Sequence, residues 1–474
     1  MIHILPDNAL LEIFDFYKDD PSEASDFIHF TWRWNTLTQV CRRWRQVVFG
    51  SPRRLDLQLA CTRTTPTSRS LDIWPPFPII LSVPPSFPAV DKNGVENIIA
   101  ALECRDRISK VDIYEILGPE VKELVTVLHE PFPVLTHFSL SSYDSSVPAL
   151  PETFLGGSAP RLRSFGLIGI PFPSFPKFIL GLPHIVHLHL DEIPNSGYIS
   201  PEVMTTCLAA LPNLESSFIG FRSPPSRLLQ LSLPRLARAS LPSLTRLQFS
   251  GVSEYFEDFV ARIDMPRLTW LNITFFVDLI FHIPRLRNFI DHTEGLKPFN
   301  EAMIEFSNRK ITIHLLSRTL LTLGIRCERL DWQLSSMTQI FSEQLPLLSR
   351  VEQLKIFEDF STIPAWRDDP NMDFSQWLEL FRLFVAVHSL YVPKRLVSPV
   401  ARALQDLTEQ MATEVLPALR TLFLEELEPS GPVHEAMNSF ATARQLSHQP
   451  VVIQRWERRG PVSSPGLPRM DVQQ

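Results

Sequence analysis

The chain has 474 residues, of which 44% are hydrophobic and 20% are charged, a balance typical of a globular protein and not of a disordered one. The formal net charge of -7 gives no overall positive field, so neither nucleic acid nor membrane is predicted as a partner. The five cysteines stand singly, without a C-x-x-C pair, and the first residues do not resemble a secretory signal. We expect an intracellular protein of the cytoplasm or nucleus.

The first predicted element is an amphipathic helix. Pro6 suits the first turn of a helix because it needs no amide partner there, and Asp7 places a negative charge at the positive end of the helix dipole. Apolar residues then follow at i, i+3, i+4 and i+7, namely Leu10, Ile13, Phe14 and Tyr17.

A second amphipathic helix is predicted to end near Gly50. Its apolar stripe consists of Leu37, Val40, Cys41, Trp44, Val47 and Val48. A unit of about fifty residues buries too little surface to cover two such stripes. We therefore expect another part of the chain or a partner to cover them.

Three segments of this region together resemble the F-box: LPDNALLEIF from Leu5, LTQVCRRWR from Leu37, and LDL from Leu55. The spacer between Tyr17 and Asn35 is longer than usual, as in fungal F-box proteins. The resemblance implies a helical F-box over residues 1–58, which binds a Skp-type adaptor and, through it, a cullin. The adaptor-binding residues that it implies are Leu5, Pro6, Leu10, Ile13, Phe14, Val40, Cys41 and Trp44.

A pattern of the form P-x-L-x-x-L-x-L recurs from residue 108, after a linking segment and first strands at 59–107. Its copies start roughly 23 to 36 residues apart, which overlaps the period of leucine-rich repeats. The clear copies begin at Pro133, Pro160, Pro183, Pro242, Pro266 and Pro417. Each copy predicts a short strand followed by a returning segment, and each needs a neighbour to cover its apolar face.

The fold predicted for residues 108–456 is an α/β leucine-rich-repeat-like solenoid with a parallel sheet on its concave face and a C-terminal cap. It resembles the divergent repeat tails of F-box proteins, and a doubly wound sheet is the alternative. Residues 457–474, rich in Gly and Pro, are predicted to be disordered.

Residues between the inward leucines are predicted to face the concave surface, since side chains alternate along a strand. Aromatic and cationic residues dominate binding hot spots, so we expect them to hold a protein target. The residues predicted for target binding are Tyr114, Arg246, Trp270, Arg326, Lys355, Phe357, Tyr391 and Phe423.

No catalytic residue, cofactor or metal site is predicted. His187, His189 and Asp191 would share one strand face, but successive same-face positions are about 7 Å apart, too far to converge easily on one ion. Phosphate-binding and nucleophile-elbow motifs are lacking. The expected function is substrate recognition in a Skp/cullin/F-box ubiquitin ligase, and the alternative is a non-catalytic interaction scaffold that acts without the ligase.

Overall fold

The computed structural model describes residues 5–18, 27–64, 67, 71–72, 74–83, 92–224, 238–276, 281–296, 299–317, 319–327, 329–345, 347–358, 375–405, 407, 409–425 and 431–456. The chain divides into two compact units. Unit 1 comprises residues 1–245 and 262–265, and unit 2 comprises residues 246–261 and 266–474. The predicted disordered tail, residues 457–474, lies outside the described residues.

Unit 1 begins with three helices, α1 (Asp7–Lys18), α2 (Phe27–Val40) and α3 (Arg42–Gly50). The single second helix predicted around Val40 and Trp44 is therefore wrong, because the chain breaks at Cys41. Cys41 has an extended backbone, and its Sγ accepts a hydrogen bond from the Trp44 amide at 3.4 Å. The side chain thus caps the N-terminus of α3 by satisfying an amide that has no partner within the helix.

The sheet of unit 1 is parallel, and its strands pair in the order in which they occur along the chain. A doubly wound sheet would reverse its strand order, so this order favours stacked repeats in unit 1. The strands are β1 (Leu59–Cys61), β2 (Ile79–Val83), β3 (Ile108–Ile113), β4 (His137–Ser141), β5 (Ser164–Ile168), β6 (His187–Ile193) and β7 (Ser216–Phe221). A separate parallel pair joins β8 (Ala239–Ser240) to β10 (Ile263–Asp264).

Helices return the chain between several of these strands. Ser200 and Pro201 show how a helix of this kind starts: the Ser200 hydroxyl accepts a hydrogen bond from the Val203 amide, and Pro201 occupies the first helical turn. The leucines of the repeat pattern, such as Leu162 and Leu167, lie in the core at 0% and 2% exposure. The described helices after α3 in unit 1 are α4 (Lys92–Leu102), α5 (Gly118–Val125), α6 (Phe175–Ile179) and α7 (Pro201–Ala209).

The sheet of unit 2 is mostly parallel but contains one antiparallel strand. Its order is β9-β11-β14-β13-β12-β15-β16-β17-β18, and β13 runs antiparallel to both of its neighbours. The strands are β9 (Arg246–Gly251), β11 (Trp270–Phe276), β12 (Glu301–Phe306), β13 (Lys310–Leu316), β14 (Leu320–Arg326), β15 (Gln353–Glu358), β16 (Ser389–Val392), β17 (Thr421–Leu424) and β18 (Val452–Arg455).

The prediction of a wholly parallel sheet is wrong at β13, which pairs antiparallel with β12 and β14. The connections on either side of β13 span only residues 307–309 and 317–319. A parallel connection needs a crossover of a dozen or more residues, so links this short allow only antiparallel pairing. The predicted α/β class and a mostly parallel arrangement are confirmed in each unit.

The helices of unit 2 cover the buried side of its sheet. The largest of their fully buried side chains is that of Trp377. The helices are α8 (Ser253–Val260), α9 (Pro284–His292), α10 (Leu330–Gln339), α11 (Ser375–Arg382), α12 (Lys394–Gln405), α13 (Glu409–Glu414) and α14 (Pro432–Leu446). Helix α14 and strand β18 lie in the segment for which a C-terminal cap is predicted.

Candidate functional site

Helix α1 has one buried apolar face and one exposed apolar face. Leu10 and Phe14 are fully buried. Ile13, Phe16 and Tyr17 are exposed by 47%, 85% and 43%. Their i, i+3 and i+4 spacing places these three side chains side by side on the helix surface. We call Ile13, Phe16 and Tyr17 the exposed α1 stripe.

Two ion-pair groups hold α1 against the rest of the three-helix module. Arg43 of α3 binds Asp7 at 2.7 Å and also donates a hydrogen bond to the Leu5 carbonyl. Arg54 pairs with Glu12 and Asp15. These contacts are partly exposed, and exposed pairs contribute little stability, so their main effect is to fix which face of α1 points outward.

The structure separates the eight predicted adaptor-binding residues into two groups. Leu10 and Phe14 have no exposed surface, and Phe14 packs edge-on against Trp44 with ring centroids 4.8 Å apart. The adaptor contact predicted for Leu10 and Phe14 is therefore corrected, because these side chains form the module's own core. The residues that retain exposed surface are Leu5, Pro6, Ile13, Val40, Cys41 and Trp44.

The three helices share their core with the segments that follow them. Trp34 of α2 packs edge-on against Trp74 and Phe77, with ring centroids 5.4 and 5.6 Å apart. Its indole N–H also donates to the Gln58 carbonyl at 2.9 Å. Leu55, which precedes residue 58 in the chain, belongs to the same buried cluster as Trp34 and Phe77. The predicted F-box boundary at residue 58 thus does not separate two compact units.

Four side chains lie together on the open face of the unit 2 sheet, and we call Lys355, Tyr391, Phe423 and Trp456 the aromatic patch. Tyr391 and Phe423 face each other across β16 and β17. Their rings stack with centroids 4.4 Å apart and 5° between planes. Trp456 meets Tyr391 edge-on at 5.6 Å, and Lys355 Nζ lies 5.8 Å from the Tyr391 ring centroid. An aromatic surface with a cation beside it suits protein recognition.

The patch contains predicted and unpredicted residues. Lys355, Tyr391 and Phe423 are predicted from the L-x-L pattern, and register brings them together. Glu301, which binds Lys355 Nζ at 2.5 Å, and Trp456 are not predicted. Glu301 lies on the unpredicted strand β12. Trp456 comes directly after the observed strand β18, and an aromatic residue at the end of an apolar run is the signal that could have identified it.

The remaining predicted target-binding residues of unit 2 do not join the patch. Arg246 and Trp270 are cross-strand neighbours at the start of β9 and β11. Arg326 lies over the Phe276 ring, 5.3 Å from its centroid. Phe357 is only 8% exposed, so the prediction that it projects as an anchor is corrected. Phe357 shares its strand face with Lys355, but its side chain is buried within the protein at this end of the strand.

The open face of the unit 1 sheet is polar and carries titratable groups. Burial raises the pKa of Asp112 to about 6, against hydrogen bonds from Ser139 and Tyr114 that lower it. Burial also raises the pKa of Tyr114 to about 12, with Asp112 adding to the effect. Burial lowers the pKa of His137 to about 4, helped by Lys110, His187 and Arg163. The pKa of His189 falls to about 4 by burial alone.

These groups do not assemble into an evident metal centre. Across the described ranges, no group of three or more His, Cys, Asp or Glu side chains could hold a metal ion. Within the same ranges, no helix is long and apolar enough to cross a membrane. Tyr114, the one predicted target-binding residue in unit 1, lies beside Asp112, to which it hydrogen-bonds.

Comparisons with known proteins identify no family for this chain. No protein-family model matches it, and no curated protein sequence matches it. Among solved structures, it is similar to the leucine-rich repeat-containing protein LegL7 from Legionella pneumophila, at 12% identity and a TM-score of 0.29. That match covers 83% of this chain and 98% of the other. A TM-score this low does not establish a common fold.

Proposed function

We propose that this protein is a substrate receptor of a Skp/cullin/F-box ubiquitin ligase, in which α1–α3 bind the adaptor and the repeats bind a protein target. The observation that carries the proposal is the exposed α1 stripe. Phe16 is 85% exposed although it stands beside a closed core that already buries Leu10 and Phe14. A solvent-exposed phenylalanine between Ile13 and Tyr17 gains nothing from folding, whereas a partner that covers it gains apolar burial.

The order of residues supports an adaptor as that partner. The stripe continues from the Leu5-Pro6-Asp7 start that resembles the F-box, and Arg43 fixes this start by binding Asp7 and the Leu5 carbonyl. Val40, at the end of α2, is a further exposed apolar residue of the module at 56%. The proposed adaptor surface therefore consists of Pro6, Ile13, Phe16, Tyr17 and Val40.

The aromatic patch supports target binding by unit 2. Stacked rings and an adjacent cation give a rigid surface whose side chains lose little conformational freedom when a partner binds. The chemistry of ubiquitin transfer would belong to the partners, and this chain would raise the local concentration of the target.

Gentle purification of the full chain, followed by mass spectrometry of bound proteins, tests the proposal. A Skp-type adaptor and a cullin should be recovered together with target proteins. The second candidate function, a scaffold that acts without a ligase, is favoured by the aromatic patch alone. It predicts recovery of binding proteins with neither adaptor nor cullin.

A further inference from the structure

A cavity of about 600 Å³ lies at the strand-entry edge of the unit 1 sheet. It is lined by residues that lead into β5, β6 and β7, including Arg161, Arg163, His184, Val186 and Glu215. These residues occupy the two x positions of successive P-x-L-x turns, so the repeat itself places them in a row. We call this row the entry groove.

The floor of the groove is held by backbone hydrogen bonds. The Arg163 amide donates to the Thr136 carbonyl at 2.8 Å, the Val186 amide to the Arg163 carbonyl at 2.7 Å, and the Glu215 amide to the Val186 carbonyl at 2.9 Å. These amides therefore already have hydrogen-bond acceptors within the protein. Recognition in the groove must come from side chains, of which the arginines are the strongest candidates.

The arginines are available for an anion. Arg161 and Arg163 are both exposed, and among the described residues neither forms an ion pair within 4.0 Å. Lys110 and Arg163 lie close enough to His137 to help lower its pKa, which indicates a positive potential at this end of the groove. A guanidinium group binds carboxylate or phosphate oxygens in a bidentate manner.

The charge of the side chains in the entry groove changes from positive to negative along its length. Glu215 leads into β7, two strands beyond Arg163, and neighbouring strands lie about 4.8 Å apart. The two charges are thus separated by roughly 10 Å, the span of about three residues of an extended peptide. An anionic side chain at Arg161 and Arg163 would place a residue three positions away beside Glu215.

We propose that the entry groove binds an extended peptide segment of the target. This segment carries an anionic residue and, about three positions before or after it, a lysine or arginine. The anion is a carboxylate or a phosphate. This inference rests on the proposed role as a protein receptor and names the chemical class of its target. It places recognition in unit 1 in addition to the aromatic patch of unit 2.

The test is fluorescence anisotropy of labelled peptides with the purified full chain, without adaptor. The probes are Glu-x-x-Lys, phosphoserine-x-x-Lys, Gln-x-x-Lys and Glu-x-x-Glu peptides. We expect at least a tenfold weaker affinity for Gln-x-x-Lys and Glu-x-x-Glu than for Glu-x-x-Lys. Tighter binding of the phosphoserine probe would assign phosphorylated targets, and equal binding would assign acidic ones.

Three variants locate the site. Arg161→Ala with Arg163→Ala should weaken binding of the Glu-x-x-Lys probe at least tenfold, and Glu215→Gln should remove the preference for lysine over glutamate. Arg420→Ala is the matched control, because Arg420 occupies the same turn position and is exposed. Circular dichroism would verify that each variant is folded.

Three results would overturn the inference: unchanged binding by the double arginine variant, equal affinity for Glu-x-x-Lys and Gln-x-x-Lys, or complete displacement by inorganic phosphate with no dependence on the peptide's lysine. The peptide-binding assay does not depend on adaptor binding. A failure here therefore leaves the proposed ligase role standing, and loss of adaptor binding leaves the groove standing.

Discussion

Tyr391 and Phe423 stack nearly parallel across adjacent strands, with ring centroids 4.4 Å apart and 5° between their planes. The pairing is set by register, because Tyr391 of β16 lies directly opposite Phe423 of β17. Both side chains are partly exposed, although folding alone would accept small polar residues at these positions. The stack is therefore the feature of unit 2 that best fits a binding surface.

Replacing Tyr391 and Phe423 with alanine should remove target binding while the protein stays folded. Hot-spot aromatics typically contribute about 2 kcal/mol or more each, whereas the stack itself contributes about 1 kcal/mol to stability. Affinity capture with quantitative mass spectrometry should show selected proteins lost from the variant. Gln353→Ala is the control, since Gln353 is exposed on the same face. If both variants capture the same proteins as the wild type, the aromatic patch is not the target site.

Asp112→Asn should stabilise the protein at neutral pH. The folded-state pKa of Asp112 is raised from 3.8 to about 6, so the folded protein binds this proton more tightly than the unfolded chain does. The stability that the protonated Asp112 side chain contributes to the folded state is therefore lost as pH rises from about 4 through 6. The shift corresponds to roughly 3 kcal/mol as an upper bound, and we expect a gain of about 1 kcal/mol because the carboxylate's hydrogen bonds weaken.

Thermal unfolding of wild type and Asp112→Asn between pH 4 and pH 8 measures this effect. The stability difference should be absent near pH 4 and grow toward pH 7. His137 and His189, whose pKa values are lowered to about 4, change stability in the opposite sense over this range. The two histidines act equally in both proteins. The difference in stability between wild type and Asp112→Asn therefore reports on Asp112 alone. A difference that does not vary with pH would contradict the assignment.

Trp34→Ala should destabilise the three-helix module and the first strands together. Trp34 is 7% exposed and contacts both Trp74 and Phe77. Truncating a buried tryptophan costs about 3–5 kcal/mol. Hydrogen exchange should report faster exchange in α1–α3 and also in β1 and β2. If only the helices exchange faster, the module and the repeats are independent, and a protein starting at residue 52 would fold.

Arg444→Met should destabilise unit 2. Arg444 of α14 is fully buried, and its guanidinium donates hydrogen bonds to the Pro417 and Leu419 carbonyls at 3.3 and 3.0 Å. Loss of a donor to buried carbonyls costs about 1–3 kcal/mol. The midpoint of urea unfolding should fall for this variant and not for Arg382→Met, which changes an exposed arginine. Equal midpoints would mean that α14 does not anchor the turn before β17.

The repeat strands could be predicted from the sequence because the signal is local. Leu162, Phe165 and Leu167 follow Pro160 at fixed spacing, and the structure buries all three. Strands β12 and β13 do not carry the P-x-L-x-x-L-x-L pattern, and β13 pairs with its chain neighbours β12 and β14 across the short links at 307–309 and 317–319. The repeat pattern therefore does not predict the antiparallel insertion, and the sequence signal for it is the shortness of these two links.

The N-terminal residues illustrate a second limit. A stripe at i, i+3, i+4 and i+7 identifies Leu10, Ile13, Phe14 and Tyr17 as apolar, but it does not reveal which of them the chain itself buries. Packing of Trp44 against Phe14 decides this and leaves Ile13 and Tyr17 exposed. Phe16, the most exposed of the group, lay outside the predicted stripe.

The affinity of the full chain for a purified Skp-type adaptor tests the central claim most directly. Isothermal titration calorimetry should give saturable binding for the wild type and a loss of at least a hundredfold for Ile13→Asp combined with Phe16→Asp, because a charge would be buried against each apolar anchor. Leu180→Asp, which changes an apolar residue of 55% exposure outside the module, should bind like the wild type. Absence of wild-type binding, or equal binding by the double variant, would contradict the account.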